Sequence, residues 1–135
     1  NETSQHGMDH QQDQRQNGLE MSIIGAITEY AVAKHLQVFF DLNCDYAPPF
    51  PPDLVSKAGN TIDVKCTRKQ GGNLNAVLRS VKKPVDIYIL TEYQPPVVYL
   101  VGWIESKALL VDANIKNVGN GSFYSMPQSK LKKFP

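Results

Sequence analysis

Cysteine is scarce in this chain, since Cys44 and Cys66 are the two cysteines among 135 residues. They form no Cys-x-x-Cys pair, so the sequence offers no zinc-ligand cluster, and two cysteines are too few for the disulfide framework of a small secreted protein. Cys44 could approach Cys66, but neither lies in a redox or nucleophile motif, and we interpret both as buried free thiols. We therefore expect a protein of a reducing compartment.

Long apolar runs and an excess of one charge are missing as well. No stretch approaches the roughly 18 apolar residues of a membrane span, and the polar start of the chain has no signal-peptide layout. Fourteen Lys plus Arg against 13 Asp plus Glu leave a formal net charge of +1. Composition alone therefore does not indicate nucleic-acid binding. We expect a soluble, cytoplasmic protein with no membrane partner.

The length of the chain fits one compact domain. Residues 1–17 hold five glutamines and, apart from Met8, almost nothing apolar, so burial there cannot offset the loss of chain entropy. The sequence therefore predicts a disordered polar tail over 1–17 and a single domain over 18–135.

The first helix is predicted from Gly18 to Val38, since Asn17 and Glu20 have the spacing of a capping pair. Every position three or four residues from Glu29 is small or apolar. Glu29 therefore has no ion-pair partner on its own helix, which favours a carboxylate turned toward the protein interior. A separate apolar face is formed by Ile23, Ile27, Tyr30 and Ala31.

After a proline-rich connector, two short strands are predicted at Asp53–Lys57 and Thr61–Thr67, around a hairpin turn at Ala58–Asn60. Side chains alternate across a strand, so Asp63 and Lys65 share one face. The opposite face, made of Ile62, Val64 and Cys66, is assigned to the core.

The second half of the chain combines a loop, a helix and two apolar strands. Gln70–Asn73 is typical of a loop, and Leu74–Val81 is interpreted as a short helix. The nearly continuous apolar runs 85–90 and 97–104 predict strands that are buried on both faces and form the middle of the sheet. Residues 105–135 are weakly patterned, with a turn at 119–121. The predicted fold class is α/β, with a mixed four- to five-stranded sheet flanked by helices.

Glu29, Asp53, Asp63 and Lys65 converge on one point if the two short strands pair. Neighbouring carboxylates resist ionisation unless a cation binds them, and Mg²⁺ prefers oxygen ligands. Mg²⁺, or Mn²⁺ in its place, could activate a water and offset charge on a phosphoryl group, with Lys65 assisting. This chemistry is phosphodiester hydrolysis.

The order of these residues resembles the PD-(D/E)xK nuclease superfamily, with Pro52-Asp53, nine intervening residues and then Asp63-Val64-Lys65. The resemblance, closest to small phage-type or resolvase-like members, implies a restriction-endonuclease-like core. It also implies that Asp53 and Asp63 are metal ligands, that Glu29 is the acidic residue of the first helix, and that Lys65 is the catalytic lysine.

Two further assignments remain open at this point. Asp41 and Asp45 are rivals for the place of Asp53, which we favour. Gln70 lies five residues past Lys65, where a polar side chain could touch the scissile phosphate or the attacking water, and it is a secondary catalytic candidate.

Basic residues concentrate in the middle of this nearly neutral chain. Between Lys57 and Lys83 there are seven basic residues against a single acid, Asp63, and such a segment attracts a phosphate backbone. The predicted nucleic-acid contacts are Arg68, Lys69, Arg79, Lys82 and Lys83.

The sequence thus predicts a divalent-metal-dependent deoxyribonuclease, with an endonuclease favoured. Cutting both strands of a duplex with so small a domain favours a homodimer or a higher homo-oligomer. If the gene is phage-encoded, the location is the host cytoplasm. The alternative is a catalytically inactive nucleic-acid-binding or assembly module with the same fold, and a third interpretation takes the Asp and Lys positions as ordinary surface.

Overall fold

The computed structural model describes residues 2–40 and 52–135, with side chains from Asn17 onward in the first range. Cys44, Asp41 and Asp45 lie outside the described residues. Helix α1 spans Glu2–Leu36, seven strands follow it in the described part of the chain, and a short helix α2 lies between the fifth and sixth strands. The strands are β1 Leu54–Val55, β2 Thr61–Thr67, β3 Leu74–Val77, β4 Ile87–Gln94, β5 Val97–Glu105, β6 Ile115–Asn117 and β7 Ser122–Met126; α2 spans Ser106–Leu109.

Helix α1 begins before the predicted start at Gly18 and extends back to Glu2. Glu, Gln, Met and Arg are good helix formers and no proline interrupts this stretch, so the helix can continue past the predicted cap. It ends at Leu36 because Gln37 takes a left-handed conformation with φ of 57°. The disorder expected for residues 1–17 stays a prediction.

The main sheet has the order β1-β2-β4-β5, with β2 and β4 parallel and the other neighbours antiparallel. This mixed four-stranded sheet in a single α/β domain confirms the predicted fold class. The β1–β2 hairpin turns at the predicted position, around Gly59. Gly59 has a φ of 91°, which residues with a side chain rarely adopt. Among the described residues, no helix is long and apolar enough to cross a membrane.

The predicted helix over Leu74–Val81 is wrong. Residues 74–77 form β3, and a 3-10 helix, Leu78–Lys82, follows and carries Arg79. Strand β3 pairs with β7, with Ala76 opposite Tyr124, so a partner far along the chain decides its structure. Leu74 and Ala76 are accordingly buried while Asn75 is exposed. Together with β6, these strands form a second sheet in the order β3-β7-β6, which the sequence did not predict.

The two long apolar strands differ in position, which corrects the prediction that both form the middle of the sheet. β4 lies between β2 and β5, whereas β5 is an edge strand whose residues alternate in burial. The C-terminal segment covers that edge, because the Trp103 N–H donates to the Lys132 carbonyl at 2.8 Å and the Lys132 N–H donates back at 2.9 Å. A Cβ on Gly102 would lie 2.7 Å from the Lys132 carbonyl oxygen, so a glycine permits this close approach.

Two apolar clusters hold the main sheet between α1 and the second sheet. Val32 and Ala33 of α1 pack with Ile62 and Ile89 on one face. On the other face, Tyr88 and Leu90 belong to the cluster that includes residues of β3 and β7. Asp63 faces this second, covered side, which is why it is buried.

The prediction that Cys66 is buried is wrong. Cys66 is exposed, although Ile62, which alternation places on the same face of β2, is buried. On α1, for which the sequence predicted two apolar faces, Ile23, Ile27 and Tyr30 are exposed because the helix packs through the neighbouring face that carries Val32.

Candidate functional site

Strand pairing brings the predicted carboxylates together. Asp53 directly precedes β1, and the antiparallel register sets Leu54 opposite Ile62, so Asp53 lies beside Asp63 of β2. The backbone N–H of Val64 donates to Asp53 Oδ2 at 2.8 Å, which fixes the first carboxyl against the second strand. We call Asp53 and Asp63 the carboxylate pair.

Asp63 is 3% exposed and is compensated by two lysines. Lys65 Nζ lies 2.9 Å from Oδ2, and Lys83 Nζ donates to Oδ1 at 2.7 Å. Oδ2 has no partner in hydrogen-bond geometry among the described residues, although it makes this ion pair. Burial alone would favour the neutral acid, but Lys65, Asp53 and Lys83 together hold the pKa of Asp63 below its ordinary value.

Asp53 has the opposite electrostatic character. Burial, followed by the charge of Asp63 and a hydrogen bond with it, raises the pKa of Asp53 from 3.8 to about 7. The Val64 N–H favours the charged form but does not reverse this shift. Near neutral pH the carboxylate pair therefore holds one proton on Asp53 for part of the time, while Asp63 stays ionised.

Glu29 reaches the same region from α1. It is half-buried, and burial together with the charge of Asp63 raises its pKa, while Lys83 lowers it. The structure thus brings four predicted residues into one electrostatically coupled group. These are Glu29, Asp53, Asp63 and Lys65.

Lys83 is a member of this group that the sequence assigned elsewhere, as a nucleic-acid contact. Burial disfavours its charged form, yet its hydrogen bond to Asp63 and the charges of Asp63 and Asp53 raise its pKa. It follows the 3-10 helix and precedes β4, the strand that pairs in parallel with β2. The pairing of β2 with β4, which are not consecutive in sequence, places Lys83 beside Asp63. The local spacing of residues in the sequence could not have indicated this contact.

Tyr88 of β4 lies opposite Asp63 on the neighbouring strand and forms the buried side of the site. It is fully buried, its hydroxyl has no hydrogen-bond partner among the described residues, and Lys65 Nζ lies 5.9 Å from its ring centroid. Burial and the charge of Asp63 raise the pKa of the hydroxyl. Tyr88 therefore contributes an apolar floor that reduces the solvation of Asp63.

The chemistry of the carboxylate pair fits a hard divalent cation. Within the described ranges, no three His, Cys, Asp or Glu side chains are grouped closely enough to form a metal cluster. Mg²⁺, however, commonly uses only one or two carboxylates and completes its shell with water and substrate phosphate. The buried Oδ2 of Asp63, without a hydrogen-bond partner, and the raised pKa of Asp53 are both features that such a cation would satisfy.

The other predicted contacts lie around this group rather than in it. Gln70 is exposed in the loop after β2, and no contact joins it to the carboxylate pair in the described residues, so its role stays a prediction. The loop is held by Glu92, which accepts from the Gly71 N–H at 2.8 Å. Arg68 pairs with Glu20 at 3.1 Å. The remaining predicted nucleic-acid contacts are exposed: Lys69, Arg79 and Lys82.

The raised pKa of Asp53 predicts a pH-dependent stability. An acid whose pKa is higher in the folded state stabilises the fold while protonated, and this stabilisation is lost as pH rises from about 3.8 to about 7. The slope is at most about 1.4 kcal/mol per pH unit. We expect the metal-free protein to lose free energy of unfolding between pH 5 and 7 relative to Asp53→Asn, measured by urea denaturation in EDTA. Parallel profiles for the two proteins would contradict the assignment.

Comparison with known proteins adds no assignment to this geometry. No family model and no curated protein matches the chain. The features of the molecule that indicate a function are therefore the carboxylate pair, its two lysines and the surrounding charge.

Proposed function

We propose that this protein is a divalent-metal-dependent deoxyribonuclease that hydrolyses phosphodiester bonds, acting as an endonuclease. The observation that carries the proposal is the carboxylate pair, in which Asp63 is buried, Asp53 is half-buried and Lys65 Nζ lies 2.9 Å from Asp63 Oδ2. The PD-(D/E)xK resemblance is part of the same proposal. It is supported by β1, β2 and β4, which hold these residues in one mixed sheet.

In the proposed mechanism, Asp53 and Asp63 would hold Mg²⁺ or Mn²⁺, and Glu29 would complete the site directly or through a water. When bound, the ion supplies charge neutralisation at the phosphate and lowers the pKa of a water. Lys65 orients the attacking water or donates to the phosphate oxygen on which charge develops, since its ammonium is preorganised by Asp63. Asp53 must lose its proton to act as a ligand, so metal affinity falls as pH drops below about 7.

The exposed basic residues supply the proposed DNA contacts. Lys69, Arg79 and Lys82 are free to meet phosphates at the surface, and each phosphate neutralised steepens the salt dependence of binding. Gln70 is retained as a secondary candidate near the scissile phosphate. A cytoplasmic location and a homo-oligomeric state complete the proposal.

The direct test is cleavage of supercoiled plasmid, linear duplex, single-stranded and four-way-junction DNA with Mg²⁺, Mn²⁺ or EDTA. We expect cutting with either metal and none in EDTA, and the substrate that is cut fastest identifies the preferred DNA shape. Cutting that persists unchanged in EDTA would contradict the metal-dependent mechanism. Absence of cutting on every substrate with both metals would remove the catalytic proposal.

A second candidate is a catalytically inactive nucleic-acid-binding or assembly module. It is favoured by the two lysines on Asp63, because they compensate this carboxylate without any metal. This module predicts binding to the same DNA substrates with no cleavage. It also predicts no thermal shift on adding Mg²⁺, whereas a metal-binding protein is stabilised by its ligand.

A further inference from the structure

The exposed side of α1 carries a regular stripe of residues that the site does not use. The stripe consists of residues spaced alternately three and four apart, and we call it the outer seam: Glu20, Ile23, Ile27, Tyr30 and Lys34. This alternation is the heptad spacing by which one helix packs along another. Each apolar member keeps a large exposed fraction: 50% for Ile23, 38% for Ile27 and 54% for Tyr30.

The outer seam is not part of the core of its own chain. Helix α1 already packs on the main sheet through another face, on which Ile24, Thr28 and Val32 are buried. The apolar surface continues beside the helix in a groove of about 310 Å³ whose lining includes Leu19, Ile23, Ile27, Tyr93 and Pro95. The ring of Tyr30 lies 5.7 Å from that of Phe40, which restricts its orientation at the surface.

The charges at the two ends of the outer seam identify its occupant. Glu20 and Lys34 lie equally far along the chain from Ile27, on opposite sides. If two copies of α1 pair antiparallel about a two-fold axis at Ile27, Glu20 of each copy faces Lys34 of the other. A parallel pair would instead place like charges together, which is unfavourable. The seam is thus self-complementary in one orientation, as a two-fold interface requires.

We infer that the outer seam is the interface with a second copy of this chain, paired antiparallel around Ile27. Glu20 already contacts Arg68 at 3.1 Å, but both side chains are half exposed, so this ion pair leaves its carboxylate accessible to the second copy. Glu29 is two residues beyond Ile27, about 200° around the helix, and remains clear of the interface. The inference does not depend on the proposed nuclease activity.

The first experiment measures the mass and dissociation constant of the full chain by sedimentation equilibrium. We expect a dimer, and Ile27→Glu should weaken it at least tenfold, because two carboxylates would be buried against each other at the two-fold axis. Val118→Glu is the matched control, since Val118 is 68% exposed and lies far along the chain in the β6–β7 turn. Circular dichroism establishes that both variants remain folded.

A charge exchange distinguishes the antiparallel arrangement from other dimers. Glu20→Lys and Lys34→Glu should each weaken the dimer roughly fivefold, because each replaces two attractive contacts with two repulsive ones. The double variant should recover the native dissociation constant. A monomer at every concentration, a dimer unchanged by Ile27→Glu, or a double variant weaker than both single variants would each overturn the inference. These experiments measure the dimer and not cleavage, so a monomer would remove the homo-oligomeric state from the proposal and leave the proposed nuclease chemistry untouched.

Discussion

Lys65→Met is expected to reduce metal-dependent DNA cleavage on the order of 10²- to 10³-fold, the usual cost of losing one preorganised donor to a developing oxyanion. Methionine replaces the aliphatic part of the lysine side chain as far as Cε and removes the ammonium group. The Lys65 ammonium lies 2.9 Å from Asp63 Oδ2 and is about one third exposed, so it can reach both the carboxylate pair and a substrate in solvent. The measurement is the single-turnover cleavage rate at saturating DNA and Mg²⁺.

Two controls make this result specific to the site. Lys69→Met removes a lysine from the exposed loop just after β2 and should change DNA affinity and its salt dependence rather than the cleavage rate. The fold of Lys65→Met should persist, because Lys83 still pairs with Asp63 at 2.7 Å. If Lys65→Met cleaves at the native rate, this lysine has no role in the chemistry. If both variants lose cleavage equally, the effect is one of surface charge.

Lys83→Met is expected to tighten Mg²⁺ binding by about tenfold, a value already reduced for the screening of a partly exposed lysine. The Lys83 ammonium occupies Asp63 Oδ1 and repels an incoming cation from the carboxylate pair. Removing it leaves Asp63 with Lys65 alone, so the metal meets less opposing charge. Isothermal titration calorimetry of the metal with the DNA-free protein measures the change directly.

The neighbouring residue offers a matched control for Lys83. Lys82→Met removes the same charge one position earlier, from an exposed side chain outside the carboxylate pair, and should leave Mg²⁺ affinity nearly unchanged. Weaker metal binding in Lys83→Met would show that this lysine supports the metal site rather than competing with it. Equal affinity in all three proteins would mean that the metal does not bind at Asp63.

The two lysines compensate the charge of Asp63. Asp63 faces the buried side of the sheet, where an unpaired carboxylate would be costly. Lys65 lies on the same strand as Asp63, whereas Lys83 lies in the segment before the parallel neighbour, so the Lys83 contact also joins β2 to the segment that leads into β4. The same contacts are the basis of the proposed chemistry and of the alternative, inactive module.

Local patterns were enough to predict the hairpin and the residues of β2. The strand Thr61–Thr67 has the predicted bounds, and Gly59 provides the left-handed turn residue that the sequence required. The spacing of Asp53 and Asp63 placed them on neighbouring strands because a hairpin pairs residues that are close in sequence. The proximity of Asp53 and Asp63 could therefore be predicted from the hairpin. Their catalytic and metal-binding roles stay predictions.

Other features depended on partners distant along the chain. β3 was interpreted as a helix because nothing near Leu74–Val77 shows that β7 will pair with it. The apolar composition of β5 indicated a central strand, but β5 lies at the edge of the sheet. The segment around Lys132, which is distant in sequence, covers that edge. Burial of Cys66 was inferred from alternation alone, and alternation shows which residues share a face of the strand without showing which of them are covered.

The sequence by itself determined the α/β class, the β1–β2 hairpin and the nearness of Asp53, Asp63 and Lys65, because these follow from side-chain periodicity and short-range turns. Only the tertiary structure decided that Lys83 joins Asp63, since this contact requires β2 and β4 to lie side by side. It also decided which face of α1 is buried, because two faces of that helix are apolar and only packing on the sheet distinguishes them. Periodicity shows that a face is apolar, whereas the arrangement of the other elements determines what covers it.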